Sequence, residues 1–251
     1  LRYGTISVEE LVDLAMDYKL KVLALTDINT VTGIYQFYKL CEDKGIKPIV
    51  GVDVRAGNEQ YYICLAKNPK GIGEINRLLT DYNCEGISIP KTNPNLENCF
   101  VIYPLKNIPE KLKEHEFIGI RQDEVNLFIK PELKALVHKM VILHPVTFKT
   151  DEDNEQYQLH KILRAIDGNV LLTKLEEDDY CKSDETFINK KLLLNKYIDF
   201  PEIIENTKFI VDECSFDFDF KTPKNKKYYT ESKKSDFKLL SKLAYEGLVR
   251  R

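Results

Sequence analysis

The stretch from Val22 to Val54 constrains this chain most. "VLALT" (22–26) is a short, continuous apolar run, the pattern of a strand buried on both faces. Ile34, Phe37, Tyr38 and Cys41 then recur at helical spacing, and Gly45 supplies a helix stop. Pro48 opens a second apolar run, "IVGVDV" (49–54). Strand, helix and strand within about 33 residues form a βαβ unit, and strands joined that way lie parallel. Ahead of it, Ser7 and Glu10 make a capping box that predicts a helix over 7–19.

The alternation continues. "YYICLA" (61–66), "CFVIY" (99–103), "FIGI" (117–120) and "MVILH" (140–144) read as strands. Helices are predicted over 70–81, near 108–114 and near 131–138, with Cys84 in a loop. Thr150 or Asp151 starts another, whose apolar face is Leu159, Ile162, Leu163 and Ile166. Beyond about residue 168 helix signals dominate: Ser183 as a cap, and Pro201 opening a helix that packs through Ile204, Thr207, Val211 and Cys214. "KTPKNKKYY" (221–229) reads as a polar linker, and Ser235 as the cap of a last helix. At least five strands separated by helices predict an α/β fold, either a barrel or a doubly wound sheet.

No run approaches 18 consecutive apolar residues, so the pattern contains no membrane-spanning helix, and "LRYGTISVEEL" lacks the form of a signal peptide. There is no initiator Met, as expected of a piece of a longer protein. The six cysteines form no C-x-x-C pair and no zinc spacing, which fits reduced, structural thiols. The net charge is −3, but residues 221–251 hold ten Lys or Arg against three Asp or Glu, a local +7 that leaves −10 elsewhere. Such a segment is either a solvated linker or a surface for a polyanion. Lys224, Lys226, Lys227, Lys233 and Lys234 are the candidate polyanion-facing residues.

Asp27, Asp53 and His144 fall at or just past strand ends, where an α/β barrel does its chemistry. Converging on one mouth, they could hold a metal and activate water. A catalytic zinc needs three protein ligands, and a histidine before proline is usually structural. His115, His138 and His160 fall in or beside helical stretches, on their surfaces by this reading. There is no P-loop, no G-x-G-x-x-G after a strand and no G-x-S-x-G. "SFDFDF" (215–220) offers alternating carboxylates, but an edge strand with one wet face accounts for it better than a two-metal site.

Several blocks, in order, carry a resemblance: "GTISVEELVDLA", "LALTDINTVTGIYQFYKLCEDKGIKPIVGVDV", "LAKNPKGIGEINRLL", "LHKILRAIDG", "PEIIENTKFIVDEC" and "LAYEGLVRR". They resemble the amino-terminal PHP domains of bacterial DNA polymerase III alpha (catalytic) subunits. The resemblance implies a distorted (β/α)7 PHP-type barrel with a helical C-terminal extension. It implies a PHP domain over 1–214, including helical segments 169–214, and a junction over 215–251 leading to the polymerase module. Active members hold up to three metals at the strand ends, and some proofread.

Matched residue by residue, most of that metal site is lost. The family's H-x-H strand would precede Leu1. Tyr3 stands for an aspartate, Ile28 for the histidine of T-D-H, and Tyr61 for a strand histidine. Pro145 and Thr147 stand for a D-x-H pair, with His144 in the register of a non-ligand. Asp27 keeps the T-D aspartate, and Asp53, in place of the G-C-E glutamate, keeps a carboxylate. The resemblance therefore implies a metal-free, non-catalytic scaffold within a DNA-directed DNA polymerase of the bacterial cytoplasm. It implies no cofactor here, with Mg2+ serving the polymerase module. The implied partners are the rest of the alpha subunit, DNA and other replisome subunits, and no membrane. The alternative is a metal-dependent phosphoesterase or proofreading 3'-5' exonuclease with a rearranged site on Asp27, Asp53 and His144.

Overall fold

In the computed structural model of the chain, residues 3–129, 131–149, 154–215, 217–223 and 225–249 are described. The βαβ unit is present. β1 (Val22–Ile28) and β2 (Lys47–Ala56) pair in parallel through α2 (Ile34–Asp43). α1 (Val8–Asp17) precedes them, with the Ser7–Glu10 capping box formed.

The next connection departs from strict alternation. Gly57 takes a positive φ of 59° in a tight turn with Asn58, so β3 (Glu59–Ala66) returns antiparallel to β2. Glycine is suited to that position of a two-residue hairpin because it has no Cβ to clash. β4 (Cys99–Pro104) follows α3 (Pro69–Glu85) and pairs antiparallel with β3. β5 (Glu116–Ile120) and β6 (Met140–Ile142) then add in parallel. The result is a curled, six-stranded half-barrel sheet in the order β1-β2-β3-β4-β5-β6. The described residues thus form six strands with mixed pairing, a mixed α/β sheet consistent with a PHP-type barrel.

Several local expectations are corrected. No helix forms over 108–114; a 3-10 turn at Leu105–Asn107 is followed by irregular chain. That segment is too short to nucleate a helix against Pro109, and the backbone N–H of Lys113 bonds the Glu116 carboxylate instead. Helix 131–138 reduces to α4 (Pro131–Lys134) and a 3-10 turn at Val137–Lys139. α3 runs to Glu85, so Cys84 is helical, and Gly86 ends the helix at φ 68°. Ser183 lies in a turn, not at a helix cap. The next helix is α6 (Lys190–Asn195), capped by Asn189. Thr150 and Asp151 lie outside the described residues; α5 is Glu155–Asp167.

The inner face of the sheet carries Ile49, Ile63, Leu65, Phe100, Ile102 and Phe117, packed with Ile210 of α7 (Pro201–Glu213) and with Cys214 just past its end. α7 is tied down by polar contacts too. Asn206 donates to the carbonyls of Val137, His138 and Met140, and Lys47 donates to Val211 and Asp212 at the helix's C-terminal end. The other sheet face packs α2 and α3. All six cysteines are free and five are buried, as expected of structural thiols. Burial pushes the thiols of Cys99 and Cys181 up to about 12.

The chain divides into two compact units, Leu1–Phe216 and Asp217–Arg251. In the second, α8 (Lys233–Val249) begins beyond Ser232, whose hydroxyl accepts from Ser235 N–H, so Ser232 and not Ser235 is the cap. Of "SFDFDF", Phe216 lies outside the described residues, and the described ones form no strand. Asp219 instead accepts from the N–H groups of Lys221 and Thr222.

Two glycines test this packing. A Cβ on Gly51, in β2, would sit 2.0 Å from the Cys64 carbonyl oxygen of β3. Gly51→Ala must push the two strands apart and is expected to cost at least about 1–3 kcal/mol in urea unfolding. Gly73, on α3, has nothing within 4 Å of its Cβ position, so Gly73→Ala should be neutral or stabilise by up to about 1 kcal/mol.

Candidate functional site

The candidate residues fall on both faces of the sheet. In the parallel register Ile28 pairs with Asp53, and Asp27 pairs with Val52. Neighbouring side chains along a strand point to opposite faces, so Asp53 and Ile28 share the inner face while Asp27 is on the outer one. Asp27 Oδ2 lies 3.0 Å from where a Cβ on Gly33 would stand, beside Leu25 and Val8, at the start of α2. Burial raises its carboxyl pKa. The register therefore separates Asp27 from Asp53.

Asp53 is 6% exposed and its carboxylate accepts three hydrogen bonds from two side chains. Oδ2 accepts from Arg55 Nε at 2.9 Å and from Arg55 Nη2 at 2.7 Å; Oδ1 accepts from Gln60 Nε2 at 2.8 Å. Arg55 comes from the same strand two residues on, past an irregularity in register at Val54/Arg55 that re-aims the chain. Its backbone is held separately. Asn29, at φ 50° just beyond β1, donates through Nδ2 to the Arg55 carbonyl and accepts the Arg55 N–H. One amide side chain thus extends the ladder after β1 has ended.

Arg55 also joins Tyr3. Its guanidinium carbon is 4.7 Å from the Tyr3 ring centroid, and that of Arg164 is 5.3 Å away. Tyr3 in turn meets the His160 ring edge-on at 4.8 Å. The sequence pattern placed His160 on a helix surface and Leu159, Ile162, Leu163 and Ile166 in the core. The structure reverses this: His160 is 0% exposed, while Ile166 is 70% exposed and Leu159 and Ile162 also face solvent. The polar face wins because it is fully bonded. His160 Nδ1 bonds the Tyr3 carbonyl at 2.7 Å, its Nε2 accepts from Cys181 N–H at 2.9 Å, and Arg164 bonds Asp179 and Asn58.

A second buried pair lies alongside. Glu185 pairs with Arg121, and its other oxygen accepts from Thr147 Oγ1 at 2.6 Å. His144 and Pro145 line a small cleft with Arg121 and Asp184. His144 Nε2 bonds the Thr186 carbonyl at 2.9 Å, and burial lowers its pKa. Tyr61 is buried under Lys91, 5.3 Å from its ring. His115 is half-buried and bonded to Asn93, and His138 is exposed.

The donors present do not fit a metal. Among the described residues no three His, Cys, Asp or Glu side chains are grouped to hold one ion. Asp53 already has three hydrogen-bond donors, and the inner-face residue next to it is Ile28. Arg55, Gln60, Asn29 and Glu185 were not singled out by sequence reasoning. Arg55 is the one with a readable signal, a basic residue two positions from Asp53 and hence on its side of the strand.

In the second unit Lys226, Lys227, Lys233 and Lys234 are exposed. Lys224 lies outside the described residues.

Residues 1–115 match the model of the PHP domain family. The chain is similar to the DNA polymerase III subunit alpha of Halalkalibacterium halodurans, 23% identical over 96% of this chain and 24% of that protein. It is also similar to the subunit alpha of Neisseria meningitidis serogroup A, 25% identical over 84% of this chain and 22% of that protein. A third relative is an error-prone DNA polymerase of Symbiobacterium thermophilum, 22% identical over 99% of this chain and 27% of that protein. The chain thus spans about a quarter of the length of these relatives. The resemblance read from the sequence blocks is borne out.

The His160 geometry sets a pH dependence. Nε2 can accept from Cys181 only when the ring is neutral, and burial lowers its pKa against the opposing pull of the Tyr3 carbonyl and Glu185, with Arg164 and Arg55 acting with burial. A histidine with a lowered folded pKa loses stability as pH falls below its unfolded value of about 6.5. While the folded ring stays neutral the loss approaches about 1.4 kcal/mol per pH unit. His144 adds in the same sense; Asp27, whose pKa is raised, acts oppositely and at lower pH. Melting temperature should therefore fall between pH 7.5 and 5.5, values chosen to bracket about 6.5. The fall should be shallower in His160→Gln, and an equal fall in both would remove His160 as the cause.

Proposed function

We propose that this chain is the PHP-type barrel of a polymerase subunit resembling DNA polymerase III alpha, and that the barrel is a metal-free, non-catalytic scaffold for the polymerase module of its parent. The observation that carries the scaffold reading is the engagement of both Asp53 oxygens by Arg55 and Gln60. Oδ2 accepts two bonds, which fills both of its lone pairs. Of the other family positions, Tyr3, Ile28, Tyr61, Pro145 and Thr147 carry neither imidazole nor carboxylate, and the one carboxylate, Asp27, lies on the opposite face of the sheet. Nucleotide addition, with its Mg2+, belongs in this reading to the polymerase module, in the bacterial cytoplasm. DNA and other replisome subunits are its partners.

The reading is tested by Asp53→Asn. A scaffold residue should be missed in stability. With side chains only 14% and 8% exposed, breaking the Arg55–Asp53 pair leaves a buried charge and should cost about 3–5 kcal/mol. The unaltered chain should hold less than one equivalent of zinc, manganese or iron by elemental analysis, and should release no nucleotides from DNA. One bound equivalent, with metal-dependent nucleotide release abolished in Asp53→Asn at unchanged stability, would establish the phosphoesterase reading instead.

The second unit carries the DNA-facing part of the proposal. Four exposed lysines close in sequence suit phosphate contacts, each contributing about 0.9 to the salt slope of duplex binding. Replacing Lys226, Lys227, Lys233 and Lys234 by Ala should reduce that slope by up to about 3–4 in a salt titration of primer–template affinity. An unchanged slope would mean that these charges are only a solvated surface.

A further inference from the structure

The pocket around Arg55 has the composition of a binding site for an organic cation. A buried carboxylate, Asp53, faces the guanidinium edge through two donors on one oxygen. The guanidinium carbon lies over the aromatic ring of Tyr3, 4.7 Å from its centroid. Gln60 fixes the carboxylate by holding its other oxygen at 2.8 Å. A carboxylate on the edge and an aromatic face on the plane are the two elements with which proteins recognise guanidinium groups.

We infer that this pocket is a guanidinium site filled from within, in which the Arg55 side chain is an intramolecular ligand supplying the positive charge that Asp53 requires. The inference rests on the metal-free scaffold reading and deepens it by naming what takes the cation's place. Two observations separate the ligand from its pocket. The Arg55 backbone is pinned by the Asn29 amide through two bonds that do not involve the side chain. Asp53, Gln60 and Tyr3 come from β2, β3 and the segment before α1, so the pocket walls do not depend on the arginine for their covalent positions. Removing the side chain past Cβ therefore leaves a cavity with a charged edge and an aromatic wall. Such a cavity suits a free guanidinium ion of the same shape. It does not suit a divalent metal, because among the described residues no three His, Cys, Asp or Glu side chains are grouped to hold one ion.

The test is chemical rescue of Arg55→Ala. The variant should melt well below the unaltered chain. Methylguanidinium at millimolar concentration should raise its melting temperature in a saturable way, as expected of a ligand that binds only the folded state. It should leave the unaltered chain, whose site is full, and Asp53→Ala/Arg55→Ala, which lacks the counter-charge, unshifted. Methylammonium at equal ionic strength should not rescue. Arg55→Lys, which keeps a point charge without the planar fork, should melt between the two and not respond. Should Arg55→Ala not fold alone, the same titration is read as recovery of folded protein on refolding with the ion present. No recovery by either readout, or equal recovery with methylammonium, overturns the inference. So does rescue by Mn2+ or Zn2+ in place of methylguanidinium. Metal and nuclease assays on the unaltered chain decide the scaffold reading separately, so each can fail without the other.

Discussion

A carboxylate on the inner face of a β-sheet cannot stand alone. At Asp53 the surrounding residues are apolar strand positions, and an unpaired ionised group there would be strongly destabilising. The charge is met by Arg55 from the same strand and by Gln60 from the next. That requirement spreads through the structure. Arg55 needs a wall, which Tyr3 supplies; Tyr3 is held through its carbonyl by His160; and His160 fixes the segment around Cys181. Elements far apart in sequence are joined at one end of the sheet by a chain of polar contacts that begins at a single acid.

Much of the scaffold was legible. Continuous apolar runs marked every strand, because strands covered on both faces need little polarity, and the capping box marked α1. The hairpin was less legible. Gly57 and Asn58 are a good turn pair, but the expectation of repeated β/α units hid them. α5 was misread because its apolar residues lie at helical spacing, and spacing alone does not say which face turns inward. In that helix, hydrogen bonds from His160 and Arg164 outweigh the burial of Ile162 and Ile166.

The candidate site was legible by position more than by partner. Asp53 and Ile28 could be placed on neighbouring strands from the βαβ pattern, and they are paired in register. The separation of Asp27 from Asp53 was not visible, because strand register is a property of pairing and not of either strand alone. Thr147 reads in sequence as a poor metal ligand. In the structure its hydroxyl belongs to Glu185, a residue 38 positions away that no local motif marks.

In the proposed reading, the bonding that ties this end of the sheet together is also what keeps it from chemistry. A group that binds a metal or activates water must keep lone pairs and space available for the reacting species, and such groups weaken the fold that carries them. Here two buried carboxylates pair with guanidinium groups, Asp53 with Arg55 and Glu185 with Arg121. The histidines are consumed by backbone groups, His144 by Thr186 and His160 by Tyr3 and Cys181. The exception at this end is Asp184, whose Oδ1 is buried with no partner among the described residues, beside the cleft of His144 and Arg121. At Asp53, the position the proposed reading matches to the family's metal-binding glutamate, the carboxylate oxygens face Arg55 and Gln60.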